Sequence, residues 1–235
     1  MTFVQLIDCR TSRFDEMDRL MDRWVETTKG KRTATHNMIG KDRSDEGHFV
    51  EIVEFPSYEE AMRNSQLPET DRIFNEMVAL CDEMPTFTDL DVVRDEQLNA
   101  DTARRFFETL GTRGDLPPMN DLLVEDYHDH DPANPQDVIG MDAARREFAM
   151  WRAGFDFSFT IEDQMAQGDR VCTRWTWNAT HKGEFLGIAS TGRKVSMTGT
   201  TIHRCSPDGK LAEGWWQYDR LALMAQLGAL EGLER

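Results

Sequence analysis

At 235 residues, with 39% apolar, 9% aromatic and 30% charged residues, the chain is long enough for two compact units and has the composition of a globular protein. Its formal net charge is −16, with 12 basic against 22 acidic residues up to position 97 and 15 against 21 beyond it, so neither half offers a positive face to phosphates. Nucleic acid and membranes are therefore not expected as partners. The opening MTFVQLIDCR has no basic segment before an apolar core and no apolar run nears the ~20 residues that span a bilayer, which gives a cytoplasmic protein as the expectation.

The first unit opens on FVQLIDC, whose apolar and β-branched mix favours a strand. Thr11 or Ser12 then stands where it can cap a helix carrying Phe14, Met17, Met21, Trp24 and Val25 at three- and four-residue spacing. Thr33 to Ile39 and Gly47 to Phe55 read as strands joined by the polar turn KDRSDEG. Ser57 with Glu60 forms a capping box for the next helix. That helical region breaks at Leu67-Pro68, resumes through Ile73, Met77, Leu80 and Cys81, and gives way to the strand TFTDLDVV. The order β-α-β-β-α-β predicts a ferredoxin-like antiparallel sheet with both helices on one face. Its open face needs cover, and a second copy is the simplest source, so a homodimer or higher homo-oligomer is expected.

After the polar connection RDEQLNAD, a second unit begins with a helix capped by Asn99 or Asp101 and carrying Phe106, Phe107 and Leu110. DLLVEDY reads as a second helical run ending in HDHDP, and Gly140 to Ala153 as a third. From Phe155 the period changes to two: strands are predicted through Ile161, over Val171 to His181, over Lys194 to Cys205 and over Leu211 to Asp219, before the helix RLALMAQLGALEGL. Helices followed by a meander of strands make an α+β unit, a curved antiparallel sheet wrapped around a helix, which encloses a cavity for a small ligand. The boundaries are 1–97 and 98–235.

The four cysteines, Cys9, Cys81, Cys172 and Cys205, form no C-x-x-C pair and read as buried free thiols. In the last strand, strict alternation puts Leu211, Glu213, Trp215, Gln217 and Asp219 on one face. On a concave face, Asp219 would lie in an apolar pocket beside an indole, and lost hydration would raise its pKa into the range of a general acid or base. Alternatively Asp219 only caps the final helix. HDHD, His128 to Asp131, resembles metal ligands, but a zinc site needs a third protein ligand and the sequence shows none nearby, so no metal is expected. His181 and His203 lie on strands and are either partners for Asp219 or structural. Trp151, Trp175, Trp177 and Phe185 are candidates for an aromatic lining or for core.

The segment DGKLAEGWWQYDRLALMAQLG resembles the C-terminal signature of SnoaL-like polyketide cyclases, D-G-K-aliphatic-x-E-x-W-x-x-x-D followed by L-x-x-Q-L-G. Upstream, EDQMAQGDRVCTRWTWNATHKGEFLGIASTGRKV resembles the same family's E-D-x-x-A-x-G-D-x-V and T-H-x-G-E-F-x-G-I-x-x-T-G, so the likeness spans residues 101 to 231. It implies the cone-shaped fold of the nuclear-transport-factor-2-like superfamily. It further implies a cofactor-independent intramolecular aldol closure of a polyketide or aromatic ketoester, with Asp219 as acid/base, His128 or His130 at the cavity mouth and no metal. The extra aromatic in Gly214-Trp215-Trp216 departs from the pattern. The first unit resembles, through its element order and HFVEIVEFPSYEEAM, the antibiotic biosynthesis monooxygenase-like dimeric α/β-barrel domains, with His36, Asn37 and His48 as its polar strand residues. The expected function is thus cyclase-type acid/base chemistry on a small hydrophobic or aromatic substrate. The alternatives are isomerisation, ring opening or hydrolysis in the same cavity, cofactor-free oxygenation in the first unit, or ligand binding without chemistry.

Overall fold

The computed structural model describes residues 2–95, 97–114 and 118–230. Two compact units divide the chain, Met1–Asp95 and Glu96–Arg235, each with its own sheet and core. Among the described residues no helix is long and apolar enough to cross a membrane.

The first unit runs β1 (Phe3–Arg10), α1 (Phe14–Thr27), β2 (His36–Lys41), β3 (His48–Phe55), α2 (Tyr58–Ser65), α3 (Pro68–Leu80) and β4 (Thr86–Asp91), with an antiparallel sheet in the order β2-β3-β1-β4. Alternation along β3 turns Phe49, Glu51, Val53 and Phe55 inward, where Met17, Leu20 and Trp24 of α1, Ala61 of α2, and Ile73 and Met77 of α3 cover that face. The Ser57 side chain accepts from the Glu60 amide at the start of α2, and Pro68 at the first position of α3 splits the two helices. Thr11 does not cap α1 as expected. The helix starts later, at Phe14, and the Thr11 hydroxyl instead donates to the Leu80 carbonyl and accepts from the Arg13 amide. On the other sheet face Met38 and Leu90 are exposed.

In the second unit, α4 (Leu98–Arg105) continues into a π-helical stretch (Phe106–Arg113), followed by α5 (Met119–Leu122), β5 (Leu123–His130), β6 (Val138–Ile139), α6 (Met141–Gly154), β7 (Phe155–Gln167), β8 (Arg170–His181), β9 (Lys194–Cys205), β10 (Leu211–Tyr218) and α7 (Arg220–Leu227). The sheet order is β6-β5-β10-β9-β8-β7, antiparallel except for the β5–β10 pair. Its inner face supplies Phe155, Phe157, Trp175, Trp177 and Val195, packed against Phe106, Phe107 and Leu110 of the π-helical stretch and Met141 and Ala144 of α6.

Two departures from the sequence reading decide the site. DLLVEDY is not a helix: only its first residues belong to α5, and Leu123 onward is strand, because hydrogen bonding to β10 on one side and β6 on the other overrides local propensity. In β10, a β-bulge between Leu211 and Glu213 shifts the register against β9 by one residue, so that Leu211 and Ala212 are both buried and the alternation beyond them is inverted. The final helix is also shorter than expected: α7 closes at Gly228, whose φ of +85° favours glycine, and the end of the expected helix lies outside the described residues.

Candidate functional site

The inversion in β10 turns Gly214, Trp216 and Tyr218 inward, and β5 beside it turns Tyr127, Asp129 and Asp131 the same way. Trp216, Tyr218, Tyr127, Asp129 and Asp131 line a cavity closed by Phe106, by Glu147, Phe148 and Trp151 of α6, and by the aromatic rows of β7 and β8. Its volume is about 80 Å³. The interior is apolar except for three carboxyl groups and the donors that serve them.

Asp129 is the central group. Its Oδ1 accepts the Trp216 Nε1–H at 2.6 Å and the Tyr127 hydroxyl at 3.1 Å. Burial raises its pKa to about 7, against the lowering effect of those two hydrogen bonds and with help from the neighbouring Asp131 and Glu147. Asp131 accepts the Tyr218 hydroxyl at 2.6 Å and the Ala133 amide at 2.8 Å. Glu147 Oε1 accepts from Trp151 Nε1 and Asn134 Nδ2, both at 3.2 Å. Burial, followed by these carboxylates, pushes the Tyr127 and Tyr218 hydroxyls well up, so both remain protonated donors. Gly214 makes room for the arrangement: a Cβ there would collide with the Tyr127 hydroxyl and come 2.9 Å from Asp129 Oδ1.

Of the residues singled out from the sequence, Trp151 lines the cavity and Phe185 packs behind it, their rings 4.7 Å apart. Trp215, Gln217 and Asp219 do not face the interior, which corrects the expected concave placement; the bulge is the reason. Asp219 is exposed and accepts from the Ala222 amide at 2.8 Å as the N-cap of α7. Trp215 stacks on His130 at 5.2 Å, with Arg170 4.8 Å from its ring. His128 and His130 alternate with Asp129 on β5 and therefore point away from the cavity, toward Asp137. His181 is fully buried, its Nδ1 accepting from the Thr191 amide at 3.2 Å. His203 is fully buried among Phe106, Phe107 and Trp216, and burial lowers its pKa to about 3, so it stays neutral.

From the sequence, Asp129 and Asp131 stand out only as part of the metal-like HDHD, and Tyr127, Trp216 and Tyr218 are not singled out as site residues. The signal was present in YHDHD: as a strand it separates Tyr127, Asp129 and Asp131 from His128 and His130.

In the first unit a larger cavity of about 320 Å³ lies between sheet and helices. Two carboxyl-bearing residues line it, the exposed Asp71 and Glu51, which accepts from Asn37 Nδ2 at 2.6 Å and whose pKa is raised by burial. His36 pairs with Glu54 at 3.6 Å, and His48 sits between Asp8 and Asp42, each at 3.0 Å; neither lines that cavity. Its size exceeds that of the second unit's cavity, but the latter brings together three carboxyl groups hydrogen-bonded to tyrosine and tryptophan donors, which makes it the better candidate for chemistry.

Residues 101–227 match the family model of SnoaL-like polyketide cyclases. No curated protein matches the chain. Among solved structures, a protein of Jannaschia sp. CCS1 assigned as a SnoaL-like polyketide cyclase aligns with a TM-score of 0.54 at 24% identity, over 60% of this chain and 98% of that one, and supports the fold. One from Acidithiobacillus ferrooxidans assigned as a polyketide cyclase aligns at 0.52 and 26% identity, over 60% and 99%. AclR from Streptomyces galilaeus, assigned as a hydroxylase, aligns at 0.50 and 26% identity, over 56% and 96%.

Proposed function

We propose, from the premise that this chain belongs to the SnoaL-like polyketide cyclase family, that its second unit closes a ring by cofactor-independent acid/base chemistry, with Asp129 as the group that moves the proton. The observation that carries the reading is the Asp129 carboxyl, buried in an aromatic cavity and poised near neutral pH. In an intramolecular aldol reaction the carboxylate takes a proton from the carbon between two carbonyls, breaking the C–H bond. The enolate carbon then attacks a second carbonyl carbon of the same molecule, forming the C–C bond, and the alkoxide receives the proton from the carboxylic acid. The substrate's own carbonyls delocalise the charge, so the protein's tasks are to position the chain and hold the proton.

The substrate class that fits is a compact polyketide or aromatic ketoester. Aromatic walls suit a conjugated ring, Trp216 fills space on the β10 side, and the cavity is narrow. Incubating the chain with a panel of small aryl ketoesters and following ring closure, together with solvent-deuterium incorporation at the acidic carbon, tests the reading. Turnover that depends on Asp129 supports it, and no turnover across the panel counts against it.

A second reading keeps the cavity and changes the reaction to isomerisation, ring opening or hydrolysis, or to ligand binding alone. The likeness to AclR, assigned as a hydroxylase, supports this reading only in that the same fold is assigned to a reaction other than ring closure. The first unit, on its element and strand order, is proposed as an antibiotic biosynthesis monooxygenase-like domain of ferredoxin-like fold that pairs two chains through its open sheet face in the cytoplasm. Oxygenation in its own cavity is the alternative for this unit, and oxygen uptake with a polyketide phenol would favour it.

A further inference from the structure

On the outer face of the second unit's sheet, β5 and β10 run parallel with His128 beside Glu213 and His130 beside Trp215. Neighbouring strands lie about 4.8 Å apart, so outward side chains at paired positions meet. The result is a cluster of three metal-ligand types, His128, His130 and Glu213, each offering one donor atom within 4.8 Å of the others. A fourth, Asp137, reaches in from the residue before β6: its Oδ2 lies 3.1 Å from His128 Nε2 and 2.9 Å from His130 Nδ1. The two imidazoles thus converge on one point, their rings 4.2 Å apart.

We infer that His128, His130 and Glu213, with Asp137 as a fourth ligand, form a binding site for a zinc-type divalent cation. The donor set decides the class. Imidazole nitrogens with carboxylate oxygens are what Zn²⁺ takes in tetrahedral sites, whereas Ca²⁺ and Mg²⁺ take oxygen sets. Bonds of about 2.0–2.2 Å bring tetrahedral ligand atoms to roughly 3.4 Å from one another, so the present separations, all within 4.8 Å, need to close by at most about 1.4 Å, within the reach of side-chain rotation.

The surroundings hold the ligands in place. Trp215 stacks on His130 with the two planes 8° apart and fixes the ring. Arg204 Nε bonds Glu213 Oε2 at 3.2 Å, keeping the carboxylate ionised and leaving Oε1 for the metal. The guanidinium opposes a cation, but Asp137 adds a negative charge on the other side, and all four ligands are partly exposed, so a hydrated ion has access.

The fold explains why the sequence alone argued against a metal: the missing third ligand stands 83 residues beyond His130 and is delivered by the parallel pairing of β5 with β10. The site would clip three strands together on the face opposite Asp129, and it requires nothing of the proposed reaction.

The test is zinc binding by the untagged full chain, measured by competition with a chromophoric chelator and with Co²⁺ as a spectroscopic probe. One equivalent should bind with micromolar or tighter affinity, Co²⁺ should give the intense visible bands of a four-coordinate site, and His130→Gln and Glu213→Gln should each weaken binding by about tenfold or more. Circular dichroism and thermal melts of the metal-free variants check that they fold, and the surface substitution Asp137→Asn gives a second, milder variant. Wild-type chain that fails to compete with the chelator, or that binds no better than the double variant His128→Ala/His130→Ala, overturns the inference.

Discussion

The indole of Trp216 on β10 donates to Oδ1 of Asp129 on β5 at 2.6 Å, across the parallel strand pair of the second unit's sheet. Tyr127 donates to the same oxygen, so both donors occupy Oδ1 and leave Oδ2 for a substrate proton. The two bonds favour the carboxylate and burial favours the acid. Burial wins, which places the group where either form is accessible near neutrality.

Replacing Asp129 by Asn keeps the shape and an oxygen that accepts from Trp216 and Tyr127, but removes the carboxyl that titrates. Turnover should fall by at least about 100-fold, the lower range for acid/base groups, while ligand binding is retained. Turnover rates on a responsive ketoester, with binding followed by Trp fluorescence, check this. Unchanged turnover would remove Asp129 from the mechanism.

Activity should depend on pH through the same carboxyl. If the ionised form takes the substrate proton, kcat/KM rises with pH and levels off above about 7. Trp216→Phe deletes a bond that lowers the Asp129 pKa, so the rising limb should move to higher pH. A limb that stays in place in the Phe variant would separate it from Asp129.

The pKa shift carries a stability consequence with a definite sign. The folded-state value of about 7 lies above that of an unfolded Asp, about 4, so the folded state holds the proton more tightly between those limits. The contribution to stability is complete below pH 4 and is lost as pH rises through 7. Against the Asn variant, which does not titrate, the wild type should lose about 2–3 kcal/mol between pH 5 and pH 8. Urea unfolding of both proteins at the two pH values reads the difference directly, and an equal gap at both would contradict the raised pKa.

Much of the fold can be read from local pattern. The three- and four-residue spacing of Met17, Met21 and Trp24 and the alternation of Phe155, Phe157 and Phe159 correspond to α1 and β7. The site was less legible because two non-local events control it. Leu122, Leu123 and Tyr127 satisfy a helical spacing as well as a strand, and only pairing to β10 and β6 selects the strand. Nothing in LAEGWWQY marks the extra residue in β10, yet that bulge exchanges Trp215 and Asp219 for Trp216 and Tyr218 inside the cavity.

Asp219 is the position that the family signature implies as acid/base, and two variants separate that role from the cap seen here. Asn caps a helix about as well as Asp, so Asp219→Asn should keep the stability of the chain, whereas Ala loses the bond to the Ala222 amide. Asp219→Ala should therefore cost about 1 kcal/mol and lower the melting temperature by about 2–4 °C. Both variants should retain turnover within about threefold, because an exposed carboxylate outside the cavity lining touches no reacting atom. A loss of 100-fold or more in Asp219→Asn with an unchanged melting temperature would return the proton transfer to Asp219. It would also require β10 to shift its register by one residue when substrate binds, since only that movement exchanges the two faces of the strand.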